Sequence, residues 1–108
     1  MSIVTATVTE TVTYHVQWVK LSRAVEKRVT NKLKEDLKHW KNDIGMKSMF
    51  VQDAADGLAV CEALEEGKWR DVEQRLWDMD TAARESVYEM IETELGMSWN
   101  EFTAGLPQ

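Results

Sequence analysis

From Val4 to Trp18, apolar residues stand at every second position. Val4, Ala6, Val8, Val12, Tyr14, Val16 and Trp18 take the even places, with Glu10 the one exception. Five threonines, His15 and Gln17 take the odd places from 5 to 17. A period of two is the mark of a β-strand, whose side chains point alternately to opposite faces, and β-branched and aromatic residues suit that conformation. The pattern predicts an extended region over residues 3–19. Residues 4–18 at ~3.3 Å each span roughly 50 Å, more than the roughly 34 Å diameter expected of a compact domain of this length. Two arrangements reconcile the two: a hairpin turning near Thr9-Glu10-Thr11, or one long strand, bent by a bulge at Glu10, that pairs with another chain. A two-residue turn would move the apolar positions from even to odd, and the glycine that three-residue loops favour is missing. On either arrangement the small antiparallel sheet keeps unpaired edges. Val4, Val8, Val12, Tyr14 and Val16 are then the self-association strand of a homodimer, paired across a two-fold axis. One more short strand fits around Met46–Val51.

After residue 20 the period changes to three and four. Val25, Val29, Leu33, Leu37, Trp40 and Ile44 trace one stripe of a helix over residues 22–44, with Ser22 as its N-cap and Gly45 as its stop. The opposite face carries Arg23, Lys27, Lys34, Lys38 and Lys41, a basic ridge roughly 27 Å long at 1.5 Å per residue. A second helix is expected over Asp53–Glu66, ending at Gly67; Gly57 inside it and a possible cap at Ser48 leave its start open. A third covers Trp69–Met79, with Trp69, Val72, Leu76 and Met79 inward. A fourth follows a cap at Asp80 and stops at Gly96, with Ala83, Val87, Ile91 and Leu95 inward and Glu85, Glu89 and Glu92 outward. Ser98 and Glu101 match a capping box for a last short turn that brings Trp99 and Phe102 together. The expected fold is therefore α+β: an N-terminal long strand or hairpin followed by about four helices. It forms a single domain over 1–108, with a strand region at 3–19, a basic helix at 22–44 and an acidic helical region at 48–104.

Charge sharpens the division. The net charge is −6, but residues 1–19 contribute −1, residues 20–47 contribute +5 and residues 48–108 contribute −10. An acidic excess argues against general affinity for nucleic acid. No apolar run has the length of a membrane span, and no basic start precedes an apolar segment. A cytoplasmic protein with no membrane contact is expected. Cys61 is the only cysteine, so no internal disulfide can form, and a buried apolar role is expected for it.

Candidate chemistry is sparse. His15 and His39 are far apart in sequence and, with one cysteine, give no ligand pair at zinc spacing. The carboxylates of Asp53-Ala-Ala-Asp56-Gly57 lack the spacing of a calcium loop. No nucleophile stands beside a base, and no glycine-rich phosphate loop is present. No metal, no cofactor and no catalytic residue are expected. Trp18, Trp40 and Trp69 lie on apolar stripes and read as core. Trp77 stands off its stripe among charges and is a candidate anchor for a partner.

These features point to a non-enzymatic protein–protein interaction module. The reading is a small acidic regulator or inhibitor of a larger protein, of the kind phages direct against a host or its defences, acting in one version by mimicry of nucleic-acid charge. Two partner-binding surfaces are expected: the basic ridge, and an acidic ridge of Glu85, Glu89 and Glu92 with Trp77. The alternative is a dimeric β-ribbon/helix DNA-binding transcriptional regulator. A paired strand with a threonine face, followed by a basic helix, resembles the arrangement of ribbon–helix–helix repressors. The segment is much longer than such a ribbon, however, and its outer face lacks Arg or Lys to read bases.

Overall fold

A computed structural model describes the backbone of residues 3–106 and the side chains of residues 17–106. The described residues form five α-helices and no strand: α1 (Ile3–His39), α2 (Ile44–Glu66), α3 (Trp69–Asp78), α4 (Thr81–Leu95) and α5 (Trp99–Ala104). The fold is all-helical, not α+β. The expected strand or hairpin over 3–19 is the first part of α1, and the expected short strand at Met46–Val51 lies inside α2.

The reason is in the backbone. A strand leaves all its N–H and C=O groups to be paired with other strands, alternate residues to either side, and the rest of this chain supplies no partner strand. A helix satisfies the same groups within the segment. Between Ile3 and His39 there is neither glycine nor proline, and each Thr or Val costs only tenths of a kcal/mol relative to better helix formers. Helix propagation from residues 18–39 therefore meets no stop. The alternation misleads because Val4, Val8, Val12 and Val16 are four apart, a spacing common to both periods. The side chains of Val4, Val8, Val12, Tyr14 and Val16, called above a self-association strand, lie outside the described residues. With no strand edge to cover, the case for a sheet extended across a dimer falls.

Other boundaries move for local reasons. Ser22 is not an N-cap: it is buried within α1, and its Oγ donates to the Cys61 carbonyl of α2 at 2.7 Å. Gly45 does not stop the basic helix. α1 ends at His39, and Asp43 caps α2 by accepting from the Met46 N–H at 3.0 Å. The later signals act as read. Gly67 and Gly96 close α2 and α4 at φ 71°, in the left-handed region that favours glycine. Ser98 accepts from the Glu101 N–H at 3.1 Å at the start of α5.

α1 and α2 run antiparallel. Trp18 meets the end of α2 at Gly67, Ser22 bonds Cys61, Val29 faces Gly57, and Trp40 stands 6.5 Å from Phe50. Gly57 permits the close approach, since a Cβ there would lie 3.2 Å from Val29. α3 turns back on α2, where Arg75 donates to the Ala59 carbonyl at 2.7 Å. α4 lies along α1, tied by Arg28 and Glu94 at 2.7 Å. Val25, Val60, Leu64, Val72, Leu76 and Ile91 are fully buried between the layers. At one end Trp18 meets Trp99 and Phe102 edge to face, with Phe102 5.2 Å from Trp18. Trp69 packs partly buried against this core. The molecule measures 62 × 21 × 20 Å, a rod whose long dimension matches the roughly 56 Å of a 37-residue helix.

Candidate functional site

The basic ridge lies on the face of α1 turned away from the core. Arg23, Lys27, Lys34 and Lys38 are exposed there, and Lys41 is exposed just beyond the helix end. None of the five makes an ion pair within the described residues. The surface is one convex helix face. The nearest exposed aromatic residue, Trp40, is turned towards Phe50, and His39 stands edge-on to it at 5.2 Å. Trp40 is 37% exposed and Ile44 82% exposed, so the end of the stripe read as core projects past the cover of α3 and α4.

The acidic ridge and Trp77 come together. Helical periodicity sends Glu85, Glu89 and Glu92 to the outer side of α4, and α3 brings Glu73 and Trp77 beside them. With Tyr88 and Met97 they line a broad, open concavity. Trp77 is 67% exposed. The guanidinium of Arg84 lies 4.4 Å from its ring centre, so one face of the indole already holds a cation, an arrangement favoured by the ring's quadrupole.

The carboxylates of this concavity are not equivalent. Glu92 accepts from the backbone N–H of Trp99 at 2.7 Å, and Glu73 accepts from the Trp99 indole N–H at 3.0 Å. Both hold α5 in place, and Glu92 also sits at a helix N-terminus, where negative charge is favoured. Glu85 and Glu89 carry no such bond and face solvent. Burial, then the nearby Glu73, push the Tyr88 phenol above its ordinary pKa. Sequence reading treated the three glutamates as one ridge. The division among them depends on α5 docking, which no local pattern announces.

A second concavity was missed altogether. It lies on the other side of α4, where α1 and α2 diverge from it, and holds about 220 Å³. Val29, Leu33, Phe50, Met79, Val87 and Met90 form its apolar wall, and Asp36, Asp53, Asp80 and Lys32 reach its rim. Burial, then repulsion from Asp80 and Asp56, raise the pKa of Asp53. The residues come from α1, α2, α4 and the connection before α4, and no local pattern in the sequence joins them.

Elsewhere there is little chemistry. Cys61 is buried, and its thiol pKa is pushed up to about 12 by burial and then by Glu26. Among the described residues no group of three His, Cys, Asp or Glu could hold a metal ion, and no helix is long and apolar enough to cross a membrane. His15 lies outside the residues whose side chains are described. No protein-family model, curated protein or solved structure matches this chain.

Proposed function

We propose that the chain is a non-enzymatic protein-binding module whose working face is the outer side of α3 and α4, and that its partner presents a basic surface. The observation that carries this reading is Trp77, an exposed aromatic side chain at the mouth of a carboxylate-lined concavity. Tryptophan pairs large apolar area with few rotamers, and aromatic anchors dominate binding hot spots. Glu85 and Glu89 supply charge that no neighbour consumes. They steer a cationic partner and set its register. A small regulator or inhibitor that occupies a basic groove, in the place of nucleic acid, fits this face best.

The basic ridge of α1 serves less well as the working face, being convex and without an aromatic anchor. The DNA-reading alternative has lost the ribbon that was to enter the groove.

The test is capture of a partner from a lysate of the source cells by wild type and by two charge-reversed forms. Glu85→Lys with Glu89→Lys should lose the captured protein, and Lys34→Glu with Lys38→Glu should retain it. Retention by the first variant and loss by the second would assign binding to the wrong face.

A further inference from the structure

We infer that the cleft between α1, α2 and the start of α4 receives one bulky apolar side chain flanked by lysine or arginine, presented by a basic amphipathic helix of a protein partner. This site shares no residue with the Trp77 face and does not depend on that reading.

Size narrows the occupant first. A volume of about 220 Å³ falls below the roughly 300–1,000 Å³ of typical small-molecule sites. It exceeds the ~150 Å³ that suffices to hold a benzene ring in an apolar cavity. One aromatic or branched side chain fits. The cleft exists because α4 turns small residues, Ala82, Ala83 and Ser86, towards it. Its wall includes Met49, Met79 and Met90, whose flexible thioethers adapt to different apolar shapes.

Charge narrows the occupant next. Lys32 is engaged by Asp36 at 3.1 Å, whereas Asp53 and Asp80 make no ion pair within the described residues. Asp80 stands at the N-cap position of α4, yet its side chain bonds no helix N–H. Two carboxylates outside any ion pair thus rim an apolar cleft, with Lys32 acting on Asp53 only at longer range. An apolar side chain alone leaves them facing each other; one with a cation on the next helical turn neutralises them. Burial, then repulsion from Asp80 and Asp56, already raises the Asp53 pKa, and a cation beside the two carboxylates would oppose the repulsive part.

Methionine methyl NMR tests this directly. Met49, Met79 and Met90 line the cleft, Met97 lines the Trp77 concavity, and Met46 lines neither. The probes are a helical peptide of leucine and lysine and its leucine/glutamate counterpart. The lysine peptide should shift the Met49, Met79 and Met90 methyls saturably, and the glutamate peptide should not. Asp53→Asn with Asp80→Asn should weaken binding by about tenfold or more. Ser86→Leu should fill the cleft and abolish the three shifts. Unchanged Met46 and Met97 signals without peptide verify that each variant is folded. Equal response to both peptides, undiminished binding by the double variant, or shifts on dilution without peptide would overturn the inference. A lysine-peptide response confined to Met97 would overturn it too, while supporting the separate Trp77 reading.

Discussion

At the scale of single residues, burial and partners decide behaviour more than residue type. Cys61 has a thiol pKa of about 12 and is buried, so the reactive thiolate is scarce at neutral pH. The native chain should resist a thiol reagent such as dithiobis-nitrobenzoate and react promptly in denaturant. Fast native modification would contradict the packing of α2 on α1. Asp53 gives a pH-dependent case. A carboxyl whose pKa is higher folded than unfolded favours folding while it is protonated, and that contribution is lost as pH rises through the folded value. The contribution is fully present below the ordinary value of 3.8. Asp53→Asn should therefore raise the melting temperature at pH 7, and the gain should vanish near pH 3. A gain that persists in acid would point to packing as its cause. Ser22 was legible as a capping residue type and illegible as a buried donor, because its acceptor, the Cys61 carbonyl, is 39 residues away. Ser22→Ala should cost about 1 kcal/mol in urea unfolding.

At the scale of elements, the boundaries of the last three helices could be read, and those of the first two only at Gly67. Gly67, Gly96 and Ser98 mark boundaries through local backbone chemistry, and α4 starts after Asp80 without a side-chain cap bond. The Val/Thr alternation of 4–18 carries real strand propensity, but propensity competes with what the remaining chain can pair. Nothing in those residues tells that no second strand follows. The two left-handed glycines allow a controlled comparison. Both sit at φ 71°, but a Cβ at Gly96 meets nothing within 4 Å, while one at Gly67 lies 3.1 Å from the Trp18 ring. Gly96→Ala should cost about 1 kcal/mol from backbone strain alone. Gly67→Ala should cost distinctly more, and equilibrium unfolding of the two variants measures the difference. Equal costs would mean that Trp18 yields freely at the junction of α1, α2 and α5.

At the scale of the whole molecule, the separation of charge read along the sequence becomes a separation in space. α1 turns its basic ridge outward on one side, and α3 and α4 turn Glu85, Glu89 and Trp77 outward on another. The acidic outer face of α4 and the exposed position of Trp77 were visible in the sequence because both follow from helical periodicity. The cleft between α1, α2 and α4 was not, since it exists only where three helices diverge. The two concavities flank α4, and both offer carboxylates beside apolar surface, so a cationic partner suits either. The central claim is that a partner engages the Trp77 face of α3 and α4 and not the basic ridge of α1. Hydrogen–deuterium exchange of the chain, alone and with its captured partner, tests it most directly. Slowed exchange in the segments spanning Arg75–Trp99 is the result predicted; protection confined to Arg23–Lys41 would contradict it.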